Sequence, residues 1–397
     1  MVRKSYAALV VGGGPAGVAT SLFLAHAAPG LADRILVLEK HRYPREKFCA
    51  GAVGARADRL LASIGVFVDV PSRPIDGIAF RAMNETVSVR EPGAGRVVRR
   101  IEFDDAFATI AKKRGIDIMD GAKVTAIRVG AHGVEVDSTA GSFEADALVG
   151  ADGVSSFVRR ALGFADSPYS AQALEVDTPP VASDVARDLI LFDVSNRALS
   201  GYYWDFPTVV NGEDLVCRGV YYLHRGASGP PAEIQDVLAE ALRARGLDLA
   251  TFRKKRYAER GFFRGGPLAV RRALLVGEAA GIDAVTGEGI AQAVQYGAVA
   301  GKYLAEKIDE GDFGFDDWAA RVRGTMIGRD LMVREAAFGL FYGPRRPNVE
   351  RFLLECPDFI RVGLQHFSGK PLSGSAVARG AFGALKATAE ALLARPA

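Results

Sequence analysis

The strongest constraint on the fold is an apolar run near the start of the chain that ends directly in closely spaced glycines. The run from Tyr6 to Val11 predicts a strand that is buried on both faces. The residues behind it combine G-x-G-x-x-G spacing with a proline suited to a helix start, and they are Gly12, Gly14, Pro15, Ala16 and Gly17. We expect a helix to about Ala27 and then a second strand from Arg34 to Leu38.

This strand, turn and helix have the chemistry of a dinucleotide site. The first glycine permits a tight turn, the second lets the backbone approach a pyrophosphate, and the third permits close packing of helix on strand. Free N–H groups at the helix start would face the phosphates. Glu39 lies 22 residues after Gly17, where a carboxylate can accept hydrogen bonds from ribose hydroxyls. The alternative is a glycine turn that serves packing alone.

Two later segments repeat the design of an apolar strand followed by glycines. They span residues 146–159 and 273–281, and a third glycine-rich stretch at 286–290 is predicted to open a long helix at about Gly287. A simple nicotinamide dehydrogenase needs neither of the two segments. The chain has 45 glycines in 397 residues, which exceeds the usual share of about 7%. We attribute much of the excess to backbone clearance around one extended cofactor.

These segments resemble those of FAD-dependent oxidoreductases with the para-hydroxybenzoate hydroxylase fold, which are related to the class A flavoprotein monooxygenases. Within that group the chain is most similar to the geranylgeranyl reductase family. The narrower resemblance is carried by residues 44–51 (PREKFCAG), 201–207 (GYYWDFP) and 286–290 (TGEGI). It implies an α/β fold with a Rossmann-type FAD-binding domain, an antiparallel-sheet substrate domain and a helical C-terminal region.

The limits of these parts follow from the glycine segments and from the change in hydrophobic alternation. Residues 1–70, 99–165 and 265–312 are predicted to form a discontinuous FAD-binding domain. Residues 71–98 and 166–264, where short strands alternate with turn residues, are predicted to form the substrate domain. Residues 313–397 are predicted to form the helical C-terminal region, with an amphipathic last segment from Ser375.

The resemblance implies FAD contacts in every glycine segment. The implied residues are Gly12, Gly14, Pro15, Ala16, Gly17, Glu39, Lys40, Ala50, Gly51, Arg100, Val124, Asp152, Gly153, Glu278, Gly287, Glu288, Gly289 and Ile290. Asp152 would lie near the pyrophosphate, and Glu278 near the ribityl chain, where the family usually has aspartate. The helix that opens at about Gly287 would direct its N-terminus at the pyrimidine edge of the flavin, which stabilises the negative charge of the reduced ring.

Three residues are candidates for the chemistry itself, namely Cys49, Tyr202 and Trp204. Cys49 matches a family cysteine close to flavin and substrate, although a lone cysteine is usually a small buried hydrophobe. Tyr202 and Trp204 share one strand face, with Tyr203 on the other. They are interpreted as an aromatic wall facing the flavin, and plain core packing is the alternative. Neither the five histidines nor the three cysteines have metal-ligand spacing, so no metal is expected.

The charge, the cysteine content and the lengths of the apolar runs limit the partners and the cellular location that can be expected. A net charge of +3 without a concentrated basic stripe argues against nucleic acid. Three widely spaced cysteines fit a reducing cytoplasm. No uncharged apolar run reaches the roughly 18 residues of a membrane span, so a cytoplasmic protein is predicted. A peripheral contact with a membrane surface through the last helix stays open as an alternative to ordinary packing.

Three functions remain. In the first, reduced FAD delivers hydride to a carbon–carbon double bond of a bulky hydrophobic molecule, such as a prenyl chain or a prenylated quinone. In the second, reduced FAD reacts with oxygen at C4a and the enzyme hydroxylates or epoxidises a secondary metabolite at the expense of NAD(P)H. In the third, the chain only passes electrons to a partner. The tyrosine–tryptophan and cysteine segments favour the first.

A flavin halogenase is disfavoured because Tyr202 stands where the first tryptophan of its paired signature belongs. The source of electrons is less constrained. The sequence has no second G-x-G-x-x-G unit, so NAD(P)H would bind only transiently, or a separate protein would donate electrons.

Overall fold

The computed structural model describes residues 5–226, 233–283 and 285–380. This part of the chain contains two sheets of eight strands each, ten α-helices whose bounds are given below, and a further helical stretch at residues 374–380. The strands are β1 (Ser5–Val11), β2 (Ile35–Glu39), β3 (Ala52–Gly54), β4 (Ser72–Ala82), β5 (Glu85–Val98), β6 (Asp117–Asp120), β7 (Val124–Val129), β8 (Val134–Ser138), β9 (Gly141–Gly150), β10 (Tyr169–Thr178), β11 (Leu189–Asp193), β12 (Gly201–Val210), β13 (Glu213–Arg225), β14 (Lys255–Arg260), β15 (Ala269–Val270) and β16 (Ala273–Leu275). The helices are α1 (Pro15–Ala27), α2 (Ala55–Ala62), α3 (Arg100–Lys113), α4 (Phe157–Ala161), α5 (Ile234–Arg243), α6 (Ile290–Glu310), α7 (Trp318–Gly324), α8 (Met326–Phe341), α9 (Arg346–Glu355) and α10 (Pro357–Ser368).

The first sheet is built around β1, and its order is β15-β16-β9-β1-β2-β6. The pairs from β16 to β6 are parallel, and β7 and β8 form an antiparallel extension beside β9. The residues of β1 from Tyr6 to Val11 are all buried, as expected for a strand covered on both faces. The glycine turn follows β1 at the carboxyl end of the parallel strands, which is where α/β sheets bind ligands.

Two helices of this layer, α1 and α6, approach each other at backbone distance. A Cβ on Gly297 would lie 2.4 Å from the Cβ of Ala19, and one on Gly301 would lie 2.5 Å from the backbone nitrogen of Leu24. Neither position has room for a side chain. Part of the glycine excess therefore serves helix packing, a role that the cofactor interpretation did not include.

The second sheet has the order β14-β10-β13-β12-β11-β4-β5-β3. Its pairs are antiparallel except β11 with β4, which run parallel, so the predicted antiparallel sheet is confirmed and contains one parallel pair. Residues 52–54, within the range assigned to the FAD-binding domain, pair with β5 of this second sheet. The division into domains otherwise stays a prediction.

The two faces of the second sheet have different coverings. Tyr203 packs with Leu174 and Val220 against Leu238 and Leu242 of α5. The opposite face carries an aromatic cluster, which comprises Tyr169, Tyr202, Trp204, Phe206 and Tyr221. The predicted alternation of Tyr202 and Trp204 against Tyr203 is therefore confirmed, and one aromatic face is directed away from α5.

The C-terminal region is helical, as the sequence predicts, from α7 to α10. The amphipathic segment expected from Ser375 lies mostly outside the described residues, which end at 380. The helix expected to begin at about Gly287 begins three residues later, at Ile290, because Gly287 adopts a left-handed φ of +70°. Among residues 5–226, 233–283 and 285–380, no helix is long and apolar enough to cross a membrane.

Candidate functional site

Two glycines of the turn after β1 are required by packing, and a third leaves backbone accessible. Gly12 has a φ of +108°, and a Cβ there would lie 2.3 Å from the Ala151 carbonyl oxygen. A Cβ on Gly17 would lie 2.0 Å from the Gly12 carbonyl oxygen, so packing alone requires both glycines. A Cβ on Gly14 would meet only the Arg45 side chain, at 3.6 Å, among the described atoms. Gly14 therefore presents accessible backbone at the start of α1, as a site for a phosphate requires.

Glu39 closes this turn from the end of β2. Its buried carboxylate accepts hydrogen bonds from the N–H groups of Gly13 at 2.9 Å and His41 at 3.0 Å. Tyr43 covers the same turn by donating its hydroxyl to the Gly13 carbonyl at 2.5 Å. Lys40 is exposed and lies outside this arrangement. The predicted ribose contact of Glu39 stays a prediction, and the carboxylate is fixed in position to make it.

A pair of arginines shares one buried carboxylate beside the turn. Arg100 makes a two-point contact with Asp104, at 2.7 and 2.8 Å. Arg45 joins the same carboxylate at 2.9 Å and also lies 3.4 Å from Glu39. Arg100 was predicted from the sequence, whereas Arg45 was not, although it belongs to the PREKFCAG segment. Their positive charge suits a pyrophosphate.

Asp152 and Glu278 have different environments despite their similar predicted roles. Asp152 accepts hydrogen bonds from the Ser156 hydroxyl at 2.5 Å and from the Phe157 N–H at 2.6 Å, so it caps α4. Glu278 is different, because its Oε1 atom is buried and has no hydrogen-bond partner within the described part of the chain. Its Oε2 lies 3.6 Å from the Cβ position of Gly153. An unpartnered carboxylate oxygen calls for an external donor, as a ribityl hydroxyl would be.

Burial is the largest influence on the pKa of both carboxyl groups. It raises the pKa of Asp152, against the lowering effect of the Ser156 hydrogen bond. It also raises the pKa of Glu278, and the positive charge of Lys47 acts in the opposite direction. Lys47, another residue of the PREKFCAG segment, is therefore an electrostatic neighbour of Glu278.

The loop before α6 is held by three side chains. Asp283 accepts the N–H groups of Val285 at 2.7 Å and Thr286 at 3.2 Å. Tyr202 of β12 donates its hydroxyl to the Thr286 carbonyl at 2.5 Å, and Tyr342 donates its own to the Val285 carbonyl at 2.5 Å. This loop is therefore fixed by its own aspartate, by the aromatic sheet and by the C-terminal helices.

Glu288 has no free acceptor facing a cofactor in this arrangement. Arg334 of α8 donates to it at 3.0 Å and Arg56 of α2 at 3.1 Å. Arg334 also forms an ion pair with Asp283. The side chain of Glu288 thus anchors the glycine turn to two helices, and a contact with FAD would come from the backbone of residues 287–290.

The aromatic face meets this turn directly. Tyr202 stacks on Tyr221 with ring centroids 5.1 Å apart, and the Cβ position of Gly287 is 3.0 Å from the Tyr221 ring and 3.4 Å from the Tyr202 hydroxyl. Trp204 lies across Gly219, where a Cβ would be 2.2 Å from the indole. Its buried Nε1 has no hydrogen-bond partner among the described residues.

Cys49 and its neighbours lie between the two sheets. The half-buried Cys49 sulfur accepts the Gly51 N–H at 3.4 Å. Burial raises the pKa of the thiol, and the charge of Arg100 only partly offsets this, so the thiol is neutral at neutral pH. Ala50 packs on the aromatic cluster, and Gly51 is required by packing because a Cβ would lie 2.0 Å from the Val98 carbonyl.

Most of the predicted residues lie either around the glycine turn after β1 or around the turn at Gly287 and the aromatic face beside it. Val124 and Lys40 make none of the contacts described above. Val124 is buried at the start of β7. Several residues of the site were missed by sequence reasoning, namely Tyr43, Arg45, Glu259, Arg334 and Tyr342. Arg45 stands inside the PREKFCAG segment and Tyr43 directly precedes it, whereas the other three belong to β14, α8 and the loop after α8, where no motif marks them.

Known proteins that resemble this chain include a family of FAD-binding domains and several reductases. A family described as FAD binding domain matches residues 5–313. A digeranylgeranylglycerophospholipid reductase of Methanococcoides burtonii is 28% identical over 364 residues, covering 85% of each chain. A menaquinone reductase of Mycolicibacterium smegmatis is 27% identical over 343 residues, covering 79% of this chain and 78% of its own. The solved structure of a geranylgeranyl bacteriochlorophyll reductase-like protein from Thermoplasma acidophilum has a TM-score of 0.68 at 20% identity, covering 95% and 96% of the two chains.

The chain belongs to the FAD binding domain family. It is an FAD-dependent oxidoreductase, and the resemblance to geranylgeranyl reductases is confirmed by relatives with reductase names. The accessible backbone at Gly14 and the unpartnered oxygen of Glu278 fit FAD. Bound FAD would supply hydride transfer, and the protein's own residues would orient it and the substrate.

Proposed function

We propose that the chain is a reductase that saturates a carbon–carbon double bond of a bulky hydrophobic molecule, with reduced FAD as the source of hydride. The observation that carries this proposal is the contact between the glycine turn and the aromatic face. The Cβ position of Gly287 lies within 3.4 Å of side-chain atoms of both Tyr202 and Tyr221. An apolar aromatic wall beside a predicted flavin contact suits a prenyl chain or a prenylated quinone better than a polar substrate.

The names of the relatives support the same substrate class. The archaeal relative is named for a lipid that carries geranylgeranyl chains, and the mycobacterial relative for menaquinone. We take Tyr202 and Trp204 as substrate-facing residues, and Cys49 as a neutral thiol at the border between the substrate and cofactor sides. These roles rest on the resemblance together with the positions described above.

The test is anaerobic single turnover. The reduced protein is mixed with a geranylgeranyl lipid or a prenylated quinone under strict exclusion of oxygen, and the product should gain two hydrogen atoms. Turnover that requires oxygen would establish the monooxygenase alternative. Bound flavin that reoxidises no faster with these substrates than without them would support the electron-transfer module.

The reductant and the cellular site belong to the same proposal. We propose that NAD(P)H binds transiently or that a separate donor protein reduces the FAD, since the sequence has no second dinucleotide motif. Comparing NADH, NADPH and a reduced iron–sulfur protein as donors decides between them. A cytoplasmic location stays a prediction from the cysteine content.

A contact with a lipid surface is also proposed, and α8 supports it. Its outward stripe contains Met326, Val333 and Leu340, which are 63%, 67% and 45% exposed at seven-residue spacing. Arg329 is exposed on the same helix and can meet anionic headgroups. An apolar stripe with a basic residue suits the interface of a membrane. The substrate class proposed above would be found in such a membrane.

A further inference from the structure

A carboxyl group that no motif indicated lies beside the glycine turn. Glu259 belongs to β14, the edge strand of the second sheet. Its Oε2 atom lies 3.0 Å from the Cβ position of Gly287, on the side where Tyr202 and Tyr221 approach the same glycine. This oxygen is buried and has no hydrogen-bond partner among the described residues. A buried polar atom of this kind needs an explanation.

The neighbours of Glu259 come from several elements. The titratable groups that influence it are Lys47, Tyr221, Glu278 and Asp283, and Glu259 in turn influences Cys49, Tyr202 and Tyr257. Burial raises the pKa of Glu259 well above its usual value, and Glu278 and Asp283 raise it further. Lys47 and a side-chain hydrogen bond with Tyr221 lower it, so only the Oε2 atom lacks a partner among the described residues. Burial therefore favours the protonated form of this carboxyl group, and the ammonium group of Lys47 is nearby to offset the charge once the proton leaves.

The other candidate acids are less suited. The Tyr202 hydroxyl already donates its proton to the Thr286 carbonyl. The Cys49 sulfur is oriented by the Gly51 N–H. Among these groups Glu259 alone combines a buried carboxyl oxygen that lacks a partner in the described chain with a position at the glycine turn.

We propose that Glu259 is the acid that protonates the substrate carbon during reduction, an inference that rests on the proposed function. Saturating a double bond adds a hydride and a proton. The hydride, with both electrons, comes from FAD that NAD(P)H or a donor protein has reduced, and it forms the first C–H bond. The O–H bond of Glu259 breaks as the second C–H bond forms, which leaves a carboxylate near Lys47. Solvent returns the proton before the next turnover.

The experiment compares Glu259→Gln and Glu259→Asp with the control Glu240→Gln, a substitution of an exposed residue on α5. Each protein is reduced anaerobically and its flavin is reoxidised either by the prenylated substrate or by ferricyanide, which accepts electrons without protonation of carbon. Glu259→Gln should slow reoxidation by the substrate by about 100-fold or more and leave the ferricyanide rate unchanged. Glu259→Asp should restore part of the rate, and the control should match the wild type.

A second readout needs no flavin. In the flavin-free protein at neutral pH, infrared spectroscopy should show the band of a protonated carboxyl group that Glu259→Gln lacks. If Glu259→Gln does not retain flavin, the infrared comparison and the rates of Glu259→Asp decide.

Two results would overturn the assignment of Glu259 and leave the proposed function standing. They are a substrate rate in Glu259→Gln within about threefold of the wild type, and the absence of the infrared band. Failure of the wild type to saturate any prenylated substrate without oxygen would overturn both the assignment and the proposed function.

Discussion

The hydroxyl of Tyr202 and the carbonyl of Thr286 are joined by a hydrogen bond of 2.5 Å. Tyr202 belongs to the aromatic face of the second sheet, whereas Thr286 belongs to the loop that leads into α6 of the first layer. The residues are 84 positions apart in sequence. The proposed substrate wall and the predicted flavin contact are thus coupled through one side chain.

Removing this hydrogen bond should weaken the binding of FAD and leave the aromatic wall of the second sheet in place. Tyr202→Phe keeps the ring stacked on Tyr221 and loses a contact worth about 1 kcal/mol, so the Kd for FAD should rise by about fivefold. Fluorescence titration of the flavin-free protein measures this change. Tyr203→Phe is the matched control, because Tyr203 donates to Asp205 on the opposite face. Equal effects of the two substitutions on the Kd would contradict the coupling.

Arg334 should be the strongest single contributor to the stability of the glycine turn. Arg334→Ala leaves the buried carboxylates of Asp283 and Glu288 without this partner, a loss that typically costs about 3 to 5 kcal/mol. Urea unfolding measures it. Arg329→Ala, an exposed arginine of the same helix, should cost less than about 0.5 kcal/mol. The prediction fails if the two variants unfold at the same urea concentration.

Glu278→Ala should reduce the retention of FAD. The buried carboxylate has an oxygen that no described residue satisfies, and a charge-assisted hydrogen bond to the cofactor would contribute about 1.5 to 3 kcal/mol. Flavin content after extended dialysis is the measurement, and Glu278→Gln, which keeps one acceptor oxygen, should lose less. Full occupancy in Glu278→Ala would remove Glu278 from the binding site.

The ion pairs of Asp330 on α8 make the stability of the folded state depend on pH in a defined direction. Burial acts in the opposite direction, but the His366 hydrogen bond and the Arg334 charge lower the pKa of Asp330 from 3.8 to about 2. A lowered pKa stabilises the folded state above pH 3.8, and this contribution of about 2 kcal/mol disappears as the pH falls toward 2.

Asp330→Asn tests this directly. The variant should be less stable than the wild type at pH 6, and the difference should shrink between pH 4 and 2 in thermal unfolding experiments. Asp309→Asn, at an exposed position of α6, serves as the control with no such dependence. A difference between Asp330→Asn and the wild type that stays constant with pH would exclude the proposed cause.

The stripe on α8 should govern binding to lipid. Replacing Val333 and Leu340 together by serine should lower cosedimentation with vesicles that contain anionic lipid, because two apolar side chains no longer enter the interface. Val129→Ser, which alters an exposed apolar residue of β7, is the control. Equal cosedimentation of all three proteins would remove α8 as the membrane contact.

The sequence predicted the parts of the fold that local patterns determine. The strand from Tyr6, the helix from Pro15 and the face shared by Tyr202 and Trp204 follow from periodicity and glycine spacing, and the structure agrees. The start of α6 was placed too early, since glycine spacing does not reveal that Gly287 lies in a left-handed turn. Local sequence also gives no information on which strand lies beside β4, so its parallel pairing with β11 was not foreseen.

The site was predictable only where it coincides with a motif. Arg334 contacts Glu288 from 46 positions away, and Glu259 reaches Gly287 from a strand of ordinary composition. Such contacts depend on tertiary packing, which the spacing of residues in one sequence does not encode. Asp152 shows the converse, because this residue inside a motif accepts hydrogen bonds from the N–H groups at the start of a neighbouring helix.

The contact of Gly297 and Gly301 with α1 has a consequence for how this enzyme tolerates change. The helix α1 begins at the turn predicted to face the pyrophosphate, and α6 begins after the turn predicted to face the flavin ring. The separation of the two helices therefore helps to set the distance between these two predicted contacts. The close approach of the helices depends on the absence of side chains at Gly297 and Gly301, which are remote from either turn. A methyl group added at either glycine would clash with α1 and push the two helices apart. The affinity for FAD should then fall although every residue predicted to touch it remained unaltered.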